Sequence, residues 1–311
     1  MIRTVISIAL PVDERLLIQK NVISHGTGKK RICIVTGTHG DELEGQYVCF
    51  QLNKIVQENL DKLNGTIEIY PALNPLGIDS ITRGIPNFDL DMNRIFPGNP
   101  DGTMAERVAY AIFQDLQGAD MVIDIHSSNI FLREIPQVRV NVNTAERLVP
   151  YAKLLNTDFI WVHEAATVLE ATLAHSLNTA GTSTLVVEMG VGMRINHGYG
   201  NRLVTGIFNL MHELGMWSEQ DESHLISRPV VSVADKVSFL NAEDSGIFLT
   251  EIRNNIIVDK GEEIGCIVNP LTGEVLQEVT ATVHGLLFTL RAYPVVYQGS
   301  LLARIHQLDE S

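Results

Sequence analysis

Cysteine is scarce, with three in 311 residues: Cys33, Cys49 and Cys266. Their odd number and wide spacing exclude a disulfide framework and any C-x-x-C metal or redox pair. Buried thiols in a reducing, cytoplasmic compartment are the expectation. Positive charge is also short, 23 Lys and Arg against 37 Asp and Glu, for a formal net charge of -14. A chain of that sign repels phosphate backbones and anionic headgroups, and no basic run offers a local exception. Neither nucleic acid nor a membrane surface is therefore an expected partner. No apolar run approaches the ~18 residues that span a bilayer. The N-terminal "VISIALPV" is short, meets Asp13, Glu14 and Arg15 at once and lacks a small-residue cleavage site, so it makes a poor signal peptide. Charged residues are few at 19%, but hydrophobic residues reach 45% and are spread along the chain, a combination that excludes disorder.

The length fits two domains better than one. From Arg31 to about Gly215, short apolar runs ("RICIVTG", "GTIEIYPALNP", "DMVIDIHSS") alternate with segments of helical period ("EGQYVCFQLNKIVQENL", "AERVAYAIFQDL", "NRLVTGIFNLMHELG"). That pattern predicts an α/β domain, a parallel or mixed sheet flanked by helices, with the site at strand ends. "SEQDESHLISRP" reads as a linker. After it come short runs rich in Val, Ile and Thr between glycines, the pattern of a small β-barrel or sandwich. The boundary is placed near residue 225, giving a catalytic domain over 1–225 and a small β domain over 226–311 that packs across the cleft.

The stretch "VTGTHGDELEG" ends an apolar run on small residues and places His39 three positions before Glu42. With Gly37 and Gly40 letting the backbone bend, both side chains can reach one metal. An ordinary electrostatic role for Glu42 near a helix start is the alternative. "MVIDIHSS" ends a second run on His126, and strand alternation puts Asp124 on the same face, where a carboxylate can orient a metal-bound imidazole. "STLVVEMGVG" closes a third run on Glu188, a costly place for an acid unless it faces a cleft or a partner. The loop "RGIPNFDLDMNRIFPG" supplies Arg83, Asn93 and Arg94. Adjacent Asn and Arg suit a carboxylate ligand, and an Arg pinned to Asp89 or Asp91 is the bland alternative.

In this order, H-x-x-E, Arg, "D-x-N-R-x-F-P-G", "D-x-H" and "E-x-G" resemble the zinc carboxypeptidase superfamily, in its aspartoacylase/succinylglutamate desuccinylase branch. The resemblance runs from about residue 30 to 215 and extends to the appended β segment. It implies His39, Glu42 and His126 as ligands of one zinc and Glu188 as general base. It further implies Arg83 polarising the scissile carbonyl, with Asn93 and Arg94 gripping a substrate carboxylate. Met92 and Ser127 stand where many members of the branch carry Leu and Thr. The branch's C-terminal tyrosine has two candidates, Tyr293 and Tyr297, and Arg194 is a candidate substrate contact.

Other motifs fail. "HEAAT" at His163 lacks a second His, "GTSTL" lacks a final Gly, and "GTGKK" precedes its strand. The β segment resembles a lipoyl/biotinyl-type barrel, but "VDKGEE" lacks the Met-Lys acceptor, so no lipoyl or biotin is expected on Lys260. His175 and the remaining histidines lack partners at ligand spacing and are read as solvated or hydrogen-bonded. The leading expectation is a zinc amidohydrolase that deacylates a small, carboxylate-bearing N-acyl amino acid or related amine, with a homo-oligomer left open. A zinc carboxypeptidase acting on peptides is the alternative, and a non-enzymatic binding module with a decayed site is the third.

Overall fold

The computed structural model describes residues 1–86, 88–164, 170–219, 228–233 and 236–309. The boundary expected near residue 225 lies outside these. A hairpin, β1 (Ile2–Ala9) and β2 (Arg15–His25), opens the chain. Next come β3 (Arg31–Thr36), α1 (Glu44–Glu58), β4 (Gly65–Tyr70), α2 (Pro75–Ser80), α3 (Met104–Leu116) and β5 (Met121–Ser127). These are followed by β6 (Leu132–Asn141), α4 (Ala145–Ala152), β7 (Phe159–His163), α5 (Leu173–Thr179), β8 (Thr184–Gly190) and α6 (His197–Glu213). No helix among the described residues is long and apolar enough to cross a membrane.

The central strands β4, β3, β5 and β8 lie side by side and parallel, with β2 and β6 antiparallel on their flanks. β3 and β5 are almost wholly buried, which explains why their sequences run apolar without alternation. One core packs α1 and α6 on one face of the sheet, through residues such as Val48, Leu52, Leu203 and Ile207. The other packs α3 and α5 through Val108, Ile112, Leu173 and Leu177. Thr103 and Glu106 form a reciprocal capping box that fixes where α3 starts. The β1–β2 hairpin joins the second core through Leu16 and Ile18, with Val5, Ile6 and Ile8 packed against it.

The C-terminal segment is all β: β9 (Val230–Val233), β10 (Val237–Asn241), β11 (Gly246–Leu249), β12 (Ile256–Val258), β13 (Glu263–Asn269), β14 (Glu274–Thr280), β15 (Gly285–Arg291), β16 (Val295–Val296) and β17 (Leu301–Gln307). β14, β13, β11 and β16 form a separate four-stranded sheet. β15, β17 and β10 continue the large sheet beyond β6, with Thr289 opposite Glu134. Phe248, Ile267, Leu287, Leu302 and Ile305 fill a core of the segment's own. The expected C-terminal β structure is present, and its strands also share hydrogen bonds with the α/β sheet. That continuity carries β17 side chains to the edge of the site.

Candidate active site

β3, β5 and β8 are neighbours, and their carboxyl ends deliver the chemistry together. His39 and Glu42 lie in the turn between β3 and α1, whose backbone passes so close to Gly77 that any side chain at Gly40 would collide with it. His126 lies near the end of β5, and Glu188 sits in register beside it on β8, so the two project from the same face. His39, Glu42 and His126 are buried, and each offers a ligand atom within 4.8 Å of the others. Nδ1 of His39 is 2.7 Å from Glu42 Oε1, and Nδ1 of His126 is 2.9 Å from Glu42 Oε2. These three side chains can hold a metal ion.

The outward nitrogens support that assignment. His39 Nε2 meets Asp91 Oδ1 at 3.0 Å, and His126 Nε2 faces Asp124 Oδ1 at 3.2 Å. Asp124 is 1% exposed and, among the described residues, no aligned hydrogen-bond donor reaches its oxygens, so the His126 ring is the group it faces. Each imidazole therefore turns one nitrogen to the shared centre and the other to a carboxylate, which is how metal-bound histidines are commonly oriented. Burial opposes charge on Glu42, yet the two imidazoles beside it hold its carboxyl well below the usual range. A carboxylate favoured in its charged form between two rings is a donor set that suits a divalent cation.

Arg83 approaches the same centre: Nη1 donates to Glu42 Oε1 at 2.9 Å and Nη2 to Asp91 Oδ2 at 3.3 Å. Asn93 is buried; its Oδ1 accepts the Leu173 N–H at 2.9 Å, and its Nδ2 lies 3.5 Å from His126 Nε2. It thus ties its loop to the start of α5. Arg94 is 39% exposed; it donates to its neighbour's carbonyl, and Asp91 is 4.0 Å away, too distant for a strong pair. Its guanidinium retains donors for a ligand.

A cavity of about 440 Å³ is lined by His39, Glu42, Arg83, Arg94, His126 and Glu188. Burial pushes the Glu188 carboxyl up to about 7, against the pull of Arg139, whose Nη1 donates to it at 3.1 Å. A carboxyl tuned near neutrality can both take and return a proton. Tyr293 and Arg194 line a different cavity, beside the start of α6. Tyr297 is 72% exposed and lines neither of the two.

Sequence reasoning does not single out six residues that the structure brings to the site. Asp91, in sequence only a possible loop anchor, holds His39. Glu134, Arg139, Arg304, His163 and His175 line the cavity. The available signal was a charge inside each apolar strand, "LREI", "VRV" and "LARI", where burial demands a partner or a purpose.

Residues 28–214 match the family model described as succinylglutamate desuccinylase/aspartoacylase catalytic domain. An N-alpha-acetyl-L-2,4-diaminobutyric acid deacetylase of Halomonas elongata is 24% identical over 305 residues, 95% of this chain and 87% of that one. Among solved structures, the product-bound ectoine utilization protein EutE (DoeB) from Ruegeria pomeroyi superposes with a TM-score of 0.82 at 22% identity, covering 97% of this chain and 93% of that one. A succinylglutamate desuccinylase/aspartoacylase from Rhodobacter sphaeroides gives 0.80 at 22%, covering 96% and 91%.

Proposed function

The chain belongs to the succinylglutamate desuccinylase/aspartoacylase family, and from that premise we propose that it is a cytoplasmic zinc amidohydrolase removing an acyl group from a small, carboxylate-bearing N-acyl amino acid. The observation that carries the reading is the convergence of His39 Nδ1, His126 Nδ1 and the Glu42 carboxylate in one cavity with Glu188. The Halomonas relative's name, a deacetylase of an N-acetyl amino acid, points the same way.

His39, Glu42 and His126 are the ligands, oriented by Asp91 and Asp124. A zinc ion held there would supply Lewis-acid polarisation of an acyl oxygen and a bound water of pKa ~7. Glu188 takes the proton from the attacking water onto a carboxylate oxygen and returns it to the leaving amine nitrogen. Arg83, half exposed to the cavity, donates to the developing oxyanion, where fixed donors are often the largest contribution. Arg94, on a loop that Asn93 anchors, pairs with the substrate carboxylate. The β segment after residue 228 closes the cleft, and Arg304 in the cavity wall supports that role. A cavity of about 440 Å³ matches a small N-acyl amino acid in size.

The test is a panel of zinc-loaded assays reading released amine. It includes N-acetyl-L-2,4-diaminobutyrate, N-acetyl-L-aspartate, N-succinyl-L-glutamate and several di- and tripeptides. Turnover of at least one N-acyl amino acid, abolished by chelation, is expected. Cleavage confined to peptides would replace this reading with a carboxypeptidase.

A further inference from the structure

We infer that Arg304, carried in on β17, positions the Glu188 carboxylate through Glu134 and Arg139. The inference rests on Glu188 being the general base.

The chain of contacts is continuous. Arg139 donates from Nη1 to Glu188 Oε1 at 3.1 Å and from Nη2 to both oxygens of Glu134, at 3.0 and 2.8 Å. Arg304 Nη1 donates to Glu134 Oε1 at 2.7 Å, and Gln137 Nε2 to Glu134 Oε2 at 2.8 Å. Glu134, 1% exposed, thereby accepts two donors on each oxygen, its full capacity. Such a carboxylate has no freedom to rotate. The planar Arg139 fork fixed on it then has one orientation for the Nη1 that holds Glu188. Trp161 adds a common wall, its ring 5.7 Å from the Arg139 guanidinium carbon and 5.5 Å from that of Arg304.

The backbone is built for this. Glu134 pairs with Gly190 and Gln137 with Glu188, so β6 holds one extra residue between them. In a regular strand Glu134 would face away from Gln137 and Arg139; the bulge turns it to their side. Charge balance explains the need for Arg304. Arg139 alone would serve two buried carboxylates, and the more saturated geometry at Glu134 would draw it off Glu188. A second guanidinium on Glu134 removes that competition. Arg304 is supplied only by the C-terminal segment, so that segment contributes to the chemistry as well as to closure.

A misplacement of about 1 Å in a reacting group can cost ~10²-fold in rate. Arg304→Met is therefore expected to lower kcat by about tenfold or more while KM stays within about twofold, on the panel compound turned over fastest. Arg304→Lys, which keeps a charge within reach of Glu134, should recover at least half of the loss. In a Glu188→Gln background, Arg304→Met should cost less than about twofold, since the group it positions is gone. Equal losses in both backgrounds, or an unchanged kcat for Arg304→Met, would overturn the inference. Wild-type kcat in Glu188→Gln itself would instead overturn the assignment of the base. Should Arg304→Met fail to fold, Arg304→Gln takes its place in the cycle. The same four proteins compared by urea midpoint need no substrate: non-additive shifts are expected, and additive shifts count against the link.

Discussion

Asp91 Oδ1 stands 3.0 Å from His39 Nε2, on the side of the ring opposite Glu42. The same carboxylate accepts the Asn93 N–H at 2.8 Å and Arg83 Nη2 at 3.3 Å. These contacts hold its own carboxyl well below the usual range despite burial. It is thus a fixed anion that sets the tautomer and tilt of one metal-facing imidazole. Loss of such an outer partner typically costs 10- to 100-fold in metal affinity. Asp91→Ala should weaken zinc binding on that scale in a competitive chelator titration, while His39→Ala and His126→Ala lose stoichiometric zinc. Full zinc content in both His variants would mean that the ion sits elsewhere.

Glu188 lies beside His126 in register but outside the group of three side chains that could hold a metal. Its role therefore separates cleanly from metal binding. General acid–base groups contribute ~10² to 10⁴ in rate, so Glu188→Gln should fall by that factor in kcat with one zinc retained. Metal analysis and turnover on the same preparation check this, and a zinc-free Gln variant would reassign Glu188 as a ligand.

How much of this was legible follows from where each residue stands. His39, His126 and Glu188 each end an apolar run beside small residues, and local pattern alone exposes them. Asp91 opens the "D-x-N-R-x-F-P-G" stretch, but it is 52 positions from its partner His39, and nothing local shows that its carboxylate turns to an imidazole. The Glu134–Arg139–Arg304 group depends on a β-bulge and on β17 reaching the site through β15, and register of that kind is invisible before the sheet is assembled. The sequence pattern also separated an α/β part from a β part. It could not reveal that Thr289 hydrogen-bonds across from Glu134 and makes one sheet of both.

Far from the site, Glu68 gives a pH-dependent contribution to stability. It is buried and accepts Lys20 Nζ at 2.9 Å, Arg31 Nη1 at 3.0 Å and the Tyr70 hydroxyl at 2.8 Å. Burial pushes the carboxyl up, but the Lys20 and Tyr70 hydrogen bonds and the nearby cations leave it below its ordinary value. A folded-state value below the unfolded ~4.3 means the stabilisation is complete above that pH and lost as pH falls through the folded value. Glu68→Gln should cost about 1 to 3 kcal/mol at pH 7, because Lys20 keeps Asp115 at 2.7 Å, and the gap to wild type should narrow as pH falls from ~4.3 through the folded value. Urea midpoints between pH 7 and 3 decide the matter. A gap independent of pH would show that shape, not charge, sets the loss.

Arg94→Ala separates a carboxylate-bearing substrate from a neutral one. Its side chain is 39% exposed beside the cavity, bonded to the Asn93 carbonyl and 4.0 Å from Asp91. At that separation Asp91 neither uses up its donors nor cancels its charge, so a bound carboxylate can take two charge-assisted hydrogen bonds from the fork. Breaking such a pair costs on the order of 2 to 5 kcal/mol, and each 1.4 kcal/mol is about a factor of ten. Arg94→Ala should therefore lower kcat/KM by about 30-fold or more for an N-acyl amino acid. For the same compound with its carboxylate amidated, wild type and variant should differ little, because the lost interaction was never made. Arg94→Lys should fall between them, keeping the charge without the bidentate geometry. If the acid and the amide lose activity equally, Arg94 only stiffens its loop against Asp91, and it is withdrawn from the site with the substrate's charge left undetermined.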